Sequence, residues 1–344
     1  MILVTGGTGY IGSHTVVELQ NEGFDIAIID NLSSSNIRVL EGIEAISGKK
    51  PLFEKFDICE FSLLNNFFKK NRIDAVIHFA AYKAVGESVS NPLMYYQNNL
   101  VSLMNLLHAM KENNVPALVF SSSCTVYGEP DSLPVTEEAP IKLATSPYGN
   151  TKQICEEIIQ DTIKAHPKMK SVALRYFNPI GAHESALIGE LPIGVPNNLV
   201  PFITQTAFGL RDCLKVFGND YDTPDGTCIR DYINVTDLAK AHIAALKRLI
   251  KSEKNSGFEV FNLGTGMGSS VLEVINSFEK VTGVRLNYIF ADRRPGDVVK
   301  VYASTDKANK VLGWKVQKSL DETLLSAWNW ENYYRKHIAN KTDN

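Results

Sequence analysis

Three glycines three residues apart directly follow a short apolar run at residues 2–5: Gly6, Gly9 and Gly12. Glycines at this spacing between a strand and a helix allow a tight turn, a close approach of the backbone to a pyrophosphate and close helix packing. The amino end of the helix then faces the phosphates. The spacing alone is also compatible with a glycine-rich turn that binds nothing, but its position after a strand favours a dinucleotide-binding βαβ unit.

Apolar runs alternate with amphipathic stretches as far as residue 175, a rhythm typical of an α/β unit with a parallel sheet. We predict strands at residues 2–5, 25–30, 51–55, 75–79, 117–121 and 172–175. We predict helices at residues 11–21, 37–46, 61–70, 92–112 and 147–165. Several strands are almost continuously apolar, which indicates helices on both faces of the sheet. The expected fold class is therefore α/β, with a doubly wound, Rossmann-like parallel sheet.

Beyond residue 178 the sequence becomes rich in Pro, Gly and Asn, a composition typical of loops that carry function. Further helices are predicted at residues 235–250, 270–282 and 320–336. The second of them has a capping box of Ser270 and Glu273 and a closing Gly283. A strand at residues 259–263 could rejoin the first sheet. We expect a dinucleotide-binding domain at residues 1–178 and a smaller α/β substrate-binding domain at residues 179–344, with segments that cross back.

The composition excludes several classes of protein. Of the 344 residues 44% are hydrophobic, and 35 basic side chains face 38 acidic ones without a long run of either sign, so neither nucleic acid nor a membrane is an expected partner. The five cysteines are widely spaced without a C-x-x-C pair, which predicts no disulfide framework, no metal site and a cytoplasmic setting. No apolar run approaches the roughly 18 residues that span a bilayer, and no targeting signal opens the sequence. The polar residues 340–344 should fray.

Two acidic residues follow the second and third predicted strands. Asp30 lies eighteen residues after Gly12, where a carboxylate accepts hydrogen bonds from the ribose hydroxyls of the adenosine. A negative charge there favours NAD over NADP, because a 2′-phosphate would meet a like charge. Asp57 and Ile58 could hold the adenine, although Asp57 could equally be a helix cap. For Asp30 the alternative is a solvated turn residue.

A tyrosine and a lysine one helical turn apart form the candidate catalytic pair. Tyr148 and Lys152 project from one face of the helix that begins at Pro147. A phenol with an ordinary pKa near 10 is a poor base at neutral pH, but an adjacent ammonium, a cationic nicotinamide and a helix amino end would each favour phenolate. Ser123 could bind the reacting hydroxyl. The alternatives are a surface Tyr–Lys pair and, for Ser123, a turn serine at a strand end.

Several strings now carry a specific resemblance: GGTGYIG, HFAA from His78, FSSSCTVYG from Phe120, SPYGNTK from Ser146 and RYFNPIGAH from Arg175. They resemble the extended short-chain dehydrogenases. PNNLVPF from Pro196, the segment from Val216 to Val235 and RRPGD from Arg293 resemble the nucleotide-sugar half of one branch, the UDP-glucose/UDP-galactose 4-epimerase family. The resemblance covers essentially the whole chain.

The resemblance implies three sets of site residues. The catalytic residues would be Ser123, Tyr148 and Lys152. The residues that contact NAD would be Gly6, Gly9, Tyr10, Ile11, Gly12, Asp30, Asn31, Leu32, Ser33, Ser34, Ser35, Asp57, Ile58, Phe79, Ala80, Ala81, Tyr82, Lys83, Asn98, Ser123, Tyr148, Lys152 and Phe177. The residues that hold the UDP-sugar would be Ser123, Tyr148, Asn178, Asn198, Leu199, Val216, Phe217, Arg230, Arg294, Asp297 and Val301.

The chemistry of these side chains agrees with the last set. Arg230 and Arg294 supply the planar, forked donors that suit a diphosphate, and Phe217 offers a ring face to uracil. Without the resemblance, a surface ion pair would account for either arginine and core packing for Phe217. By the same resemblance Val301 borders the 2-position of the sugar and leaves room for an N-acetyl group. A register shifted by one residue would place Tyr302 there and close the pocket, and a plain core role for Val301 is the other alternative.

The resemblance implies NAD-dependent epimerisation at C4 of UDP-hexoses, through a transient 4-keto sugar that is reduced again on its other face. UDP-glucose and UDP-galactose would be the substrates, with the N-acetylated pair as an extension, and the enzyme would be a homodimer. One alternative is a nucleotide-sugar 4,6-dehydratase, a group that tends to carry an Asp-Glu pair where this chain has Cys124 and Thr125. Another is a non-catalytic NAD-binding sensor, a group that tends to lose the Tyr and Lys.

Overall fold

A computed structural model describes residues 1–251, 257–294 and 297–339. The strands in these residues are β1 (Ile2–Thr5), β2 (Ile26–Asp30), β3 (Leu52–Lys55), β4 (Ala75–His78), β5 (Ala117–Ser123), β6 (Lys170–Tyr176), β7 (Asn178–Ile180), β8 (Leu214–Phe217), β9 (Ile229–Arg230), β10 (Tyr232–Asn234), β11 (Phe258–Leu263), β12 (Ser269–Ser270), β13 (Tyr288–Ala291) and β14 (Lys300–Val301). The α-helices are α1 (Tyr10–Asn21), α2 (Val39–Ser47), α3 (Phe61–Lys70), α4 (Val85–Ser90), α5 (Pro92–Glu112), α6 (Pro147–Ala165), α7 (Leu199–Ala207), α8 (Val235–Lys251), α9 (Val271–Thr282) and α10 (Leu320–Tyr333).

A parallel sheet of seven strands forms the centre of the molecule, in the spatial order β11-β6-β5-β4-β1-β2-β3. β1, β4 and β5 are buried along their whole length, as expected for apolar strands between two helical layers. α1, α2 and α8 pack on one face, around residues such as Val17 and Leu246. α3, α5 and α6 pack on the other, around residues such as Leu64 and Ile159. The doubly wound α/β fold is confirmed.

The second half of the chain contributes one strand to this sheet. β11 pairs in parallel with β6, with Phe258 opposite Ser171 and Leu263 opposite Tyr176. The strand expected at residues 259–263 is therefore present, and the count of six strands taken from the first 175 residues is one too low because the seventh comes from beyond them. The domain boundary at residue 178 stays a prediction.

The remaining strands form small sheets around a second core. β8 pairs with β13, β7 pairs with β10, and β9 lies between β12 and β14. α7, α9 and α10 pack together through residues that include Ile203, Ile275 and Leu324. The capping box predicted at the start of α9 is present, because the Ser270 hydroxyl accepts from the Glu273 amide at 3.0 Å while the Glu273 carboxylate accepts from the Ser270 amide at 2.7 Å.

The predicted element boundaries agree with the structure to within a few residues. The largest shift is at the last helix, because α10 ends at Tyr333 and a wider π-helical turn, Tyr334–Ile338, follows it. α4 and α7 were not predicted, since α4 is too short to show a helical period and α7 carries Pro201 in its first turn. Residues 340–344, which were expected to fray, lie outside the described residues. In the part of the chain that the structure describes, no helix is both long and apolar enough to cross a bilayer.

Candidate active site

The glycine loop between β1 and α1 brings backbone close to backbone. Gly6 has φ 71°, and a Cβ atom on it would lie 2.7 Å from the amide nitrogen of Ala80. A Cβ atom on Gly12 would overlap the carbonyl oxygen of Gly6. Gly9 is the N-cap of α1, and no side chain caps the helix there. The amides at the start of α1 are thus available to an anion, so the loop fits a dinucleotide pyrophosphate.

Asp30, the last residue of β2, is held beside this loop. Its Oδ1 accepts hydrogen bonds from the Leu32 amide at 2.9 Å and the Ser35 hydroxyl at 3.3 Å, and its Oδ2 accepts from the Thr8 amide at 3.2 Å. Thr8 and Ser35 are joined in turn through their hydroxyls at 2.7 Å. The carboxylate therefore ties the segment that follows β2 to the glycine loop. Thr8 was not predicted as a site residue, although it lies inside the glycine string.

Asp57 makes a local turn and also reaches the segment after β2. Its Oδ1 accepts from the Cys59 amide at 2.8 Å, and its Oδ2 accepts from the Asn31 side-chain amide at 3.0 Å. Glu60, not Asp57, is the N-cap of α3. The helix-cap alternative for Asp57 is therefore wrong. The Asp57 side chain instead contacts Asn31, the residue that follows β2. Ile58 is buried beside it.

Tyr10 and Lys83 connect the cofactor-side residues with the second half of the chain. The Tyr10 hydroxyl donates to the Gly181 carbonyl at 2.7 Å, and the Lys83 ammonium lies 5.8 Å from the Tyr10 ring centroid. Burial, with the nearby charge of Glu190, raises the pKa of the Tyr10 phenol. Tyr10 is therefore a neutral hydrogen-bond donor at the junction of the two halves. Ile11 is buried behind it.

Residues 79–83 follow β4 along the edge where the glycine loop lies. The Phe79 amide donates to the Thr5 carbonyl at 3.0 Å, which joins the ends of β4 and β1. The side chain of Asn99 accepts from the Tyr82 amide at 2.9 Å and from the Asn98 side-chain amide at 3.0 Å. Asn99 thus holds two of the predicted NAD contacts in place. It was not predicted, because nothing in the sequence distinguishes it from Asn98.

The predicted catalytic residues meet at the carboxyl end of β5. Ser123 is the last residue of β5, and Tyr148 is the second residue of α6, a helix capped by the Ser146 hydroxyl. The Ser123 hydroxyl lies near the Tyr148 phenol and lowers its pKa. The Lys152 ammonium lies 5.9 Å from the Tyr148 ring centroid and donates to the Ser121 carbonyl at 2.7 Å. The structure therefore brings the three predicted catalytic residues together, and all of them are buried.

Burial dominates the electrostatics of this pair. It raises the pKa of the Tyr148 phenol well above its usual value, and the Tyr176 phenol adds to the effect while the nearby Ser123 hydroxyl opposes it. It also lowers the pKa of Lys152 to about 8, so the ammonium is still protonated at neutral pH. The Lys152 ammonium, a cationic nicotinamide and the helix amino end, which were predicted to favour the phenolate together, therefore have to offset a desolvation cost that the sequence did not show.

Two predicted sugar-nucleotide residues lie on the small sheet β12-β9-β14, and a third, Asp297, pairs with one of them. Arg230 in β9 is opposite Val301 in β14, and its guanidinium lies 3.5 Å from the Asp297 carboxylate. Val301 belongs to an apolar cluster with Cys124, the residue that follows Ser123. The small sheet thus lies next to the catalytic end of β5. The intervening Pro295 and Gly296 of the RRPGD string lie outside the described residues.

Two more predicted residues stack on each other. The Arg294 guanidinium carbon lies 4.0 Å from the Phe217 ring centroid, a cation–π geometry. Phe217 ends β8, while Val216 before it is buried in the second core. One face of the ring predicted to meet uracil is therefore already covered by a cation. Phe217 is half-buried, so part of its ring stays accessible.

The asparagines of the predicted set lie at element starts. Asn178 opens β7, directly after the buried Phe177. Asn198 is the N-cap of α7, whose first residue is Leu199, and its side-chain amide donates to Glu190 at 2.9 Å. The same Glu190 carboxylate lies 3.7 Å from the Lys83 ammonium. Glu190 therefore bridges a predicted cofactor contact and a predicted substrate contact, and no sequence pattern pointed to it.

Comparisons with known proteins agree with this arrangement. A protein-family model described as GDP-mannose 4,6 dehydratase matches residues 3–326. The UDP-glucose 4-epimerases of Haemophilus influenzae and Bacillus subtilis are each 49% identical to this chain, and the matches cover 96% of it and 97% and 96% of those proteins. The chain belongs to the UDP-glucose 4-epimerase family.

The fold is also similar to that of solved UDP-glucose 4-epimerases. The crystal structure of the UDP-glucose 4-epimerase from Bifidobacterium longum, in complex with NAD⁺ and UDP, is 47% identical, has a TM-score of 0.94 and is matched over 98% of this chain and 99% of that one. The resemblance inferred from the sequence motifs is therefore confirmed.

Proposed function

We propose that this chain is a UDP-glucose 4-epimerase, which interconverts UDP-glucose and UDP-galactose through a transient 4-keto sugar. The observation that carries the proposal is the convergence of Ser123, Tyr148 and Lys152 at the carboxyl end of β5, on the same sheet edge as the glycine loop. About 49% identity to named epimerases over 96% of the chain supports it. When bound, NAD supplies the oxidation and re-reduction at C4.

Tyr148 is the proposed proton acceptor for the 4-hydroxyl group. The nearby Ser123 hydroxyl favours the phenolate, whereas burial favours the neutral phenol. A cationic nicotinamide ring next to the phenol would act in the same direction as the Lys152 ammonium. Ser123 would orient the hydroxyl, and Tyr148 would return the proton when the keto group is reduced.

The nucleotide would be held by the residues of the second half. Arg230 offers a guanidinium fork to the diphosphate, with Asp297 3.5 Å away to orient it. The half-buried Phe217 ring, which stacks with Arg294, would contact the base. Binding through the nucleotide leaves the sugar free to rotate between its two faces.

The dehydratase alternative lacks the groups that it needs. Cys124 and Thr125 follow Ser123, where an elimination needs an acid and a base, and burial raises the pKa of the Cys124 thiol to about 12. The sensor alternative would leave the buried Tyr148 and Lys152 without a role.

An assay of the purified protein with UDP-galactose and no added cofactor tests the proposal. UDP-glucose should form, as detected with a coupled UDP-glucose dehydrogenase, and Tyr148→Phe should remove most of the activity. A protein that contains NAD but forms no UDP-glucose would contradict the proposal.

The epimerase also has finer properties that we propose. Val301 lies in the apolar cluster beside the catalytic end of β5, so UDP-N-acetylglucosamine and UDP-N-acetylgalactosamine should be accepted as a second pair. The five free cysteines suit a reducing cytoplasm.

A homodimer is the proposed assembly. α5 exposes large apolar side chains along one side, among them Leu93 and Met104, which a second copy of the chain could cover. Leu93→Glu with Met104→Glu should give a monomer in sedimentation analysis, whereas Leu210→Glu, at an exposed leucine after α7, should leave the dimer intact. A wild type that sediments as a monomer would contradict the assembly.

A further inference from the structure

A buried ion pair lies behind the catalytic residues and has no part in the chemistry described so far. Glu156 in α6 and Arg175 in β6 are 4% and 5% exposed. The guanidinium binds the carboxylate through two hydrogen bonds, Nε to Oε1 at 2.9 Å and Nη2 to Oε2 at 2.5 Å. Because buried charges cost free energy, an ion pair at this place is expected to hold neighbouring residues in position.

Glu156 continues the stripe of α6 that carries the catalytic pair. It follows Lys152 by four residues and Tyr148 by eight, so the three side chains lie on one face of the helix, toward the sheet. The Ser122 hydroxyl donates to Glu156 Oε1 at 2.5 Å, and the Lys152 ammonium donates to the Ser121 carbonyl at 2.7 Å. α6 is thus joined to two consecutive residues of β5.

The serines that end β5 each have a different partner. Side chains alternate along a strand, so Ser121 and Ser123 share one face and Ser122 lies on the other. Ser121 is hydrogen-bonded to Tyr176, and Ser123 accepts from the Thr125 amide at 3.2 Å. Ser122 is the residue through which Glu156 reaches the strand. The backbone that carries Ser123 is therefore held from both faces.

The anchor itself is rigid. The Arg175 guanidinium lies 4.8 Å from the Tyr127 ring centroid, and the Tyr127 hydroxyl donates to Asn262 of β11 at 2.7 Å. The pair is therefore supported by a third strand of the sheet. A carboxylate held in this way has little freedom to follow a shift of β5.

We propose that Glu156, fixed by Arg175, is a positioning residue that holds Ser122 and so keeps Ser123 in register with Tyr148 on α6. The inference rests on the proposed epimerase function. A loss of this contact lets the end of β5 move relative to α6, and small errors in the placement of catalytic groups reduce turnover more than binding.

Ser122→Ala is the direct test, because it removes the contact and leaves the buried ion pair complete. We expect kcat to fall about 10-fold or more, with KM for UDP-galactose within about twofold of wild type and the midpoint of thermal unfolding nearly unchanged. Ser171→Ala is the matched control: Ser171 is also buried in the sheet, but its hydroxyl has no hydrogen-bond partner, so all three quantities should stay at wild-type values.

A double variant separates positioning from stability. Glu156→Met with Arg175→Met replaces the pair by apolar side chains, which commonly preserves stability where removal of one partner does not. We expect a thermal midpoint near that of wild type and kcat lowered at least as much as in Ser122→Ala. Wild-type kcat in Ser122→Ala, or full recovery of kcat in the stable double variant, would overturn the inference. An inactive wild type would instead count against the proposed function.

Discussion

The Lys152 ammonium donates a hydrogen bond of 2.7 Å to the Ser121 carbonyl and lies 5.9 Å from the Tyr148 ring centroid. Its charge is therefore fixed near the phenol without a direct bond to it. Lys152 acts on Tyr148 through space, in a buried site where charges are weakly screened. Its effect should consequently appear in the pH dependence of the reaction.

Lys152→Met removes a cation that favours phenolate, so the pKa of Tyr148 should rise further. Because turnover needs the phenolate, the acid limb of the kcat profile should move to higher pH. Lys164→Met, at an exposed lysine of the same helix, should leave the limb in place. An acid limb in Lys152→Met that coincides with that of wild type would argue against the pairing.

Tyr148→Phe keeps the ring in its buried place and deletes the oxygen that accepts the proton. We expect kcat to fall by about 10² or more, the scale of a lost general base, with NAD still bound. Tyr96→Phe removes another hydroxyl, which accepts from the Asn150 side-chain amide of α6, and should retain most of the activity. If Tyr148→Phe kept half of the wild-type rate, Tyr148 could not be the base.

The fold was largely predictable because its signals are local. Apolar strands followed by amphipathic helices show their periods within short windows, and the glycine string marks the first turn between them. Glu156 and Arg175 are different: they come from α6 and β6, and only the order of strands brings them together. Glu190 likewise acquires its role from Lys83, which lies far from it along the chain, as well as from the nearby Asn198. The pKa of Tyr148 was also unpredictable from sequence, since it depends on burial.

Asp30→Ala should weaken NAD binding and reduce the preference for NAD over NADP, because the ribose acceptor and the repulsive charge disappear together. The variant also releases Thr8 and Ser35, which should weaken both cofactors alike. The ratio of the two affinities, measured by calorimetry on apoprotein, isolates the charge effect. Asp74→Ala, at an aspartate that binds the chain terminus, is the control. An unchanged ratio would refute the ribose assignment.

Arg230→Lys should raise KM for UDP-galactose by about 10-fold or more, since an ammonium cannot present two parallel donors to a diphosphate. kcat should change much less, because the nucleotide lies away from C4. Arg285→Lys provides the comparison, at an exposed arginine paired with Glu279. Steady-state kinetics over a range of UDP-galactose concentrations measures both constants. Equal KM values in the two variants would leave Arg230 as a structural ion-pair partner of Asp297.

Val301→Tyr tests whether this position limits the sugar at C2. Val301 and Cys124 pack against the same apolar cluster, which includes Tyr127, so a larger side chain at Val301 would project into the space next to the catalytic end of β5. If Val301 borders the sugar, the tyrosine should abolish epimerisation of UDP-N-acetylgalactosamine while UDP-galactose is still converted. If it is only a core residue, overpacking should lower both activities and the thermal midpoint together. Val311→Tyr, at an exposed valine outside the site, should change neither activity. A wild type that does not convert the N-acetylated pair would contradict the proposal, because Val301 would then not admit the N-acetyl group.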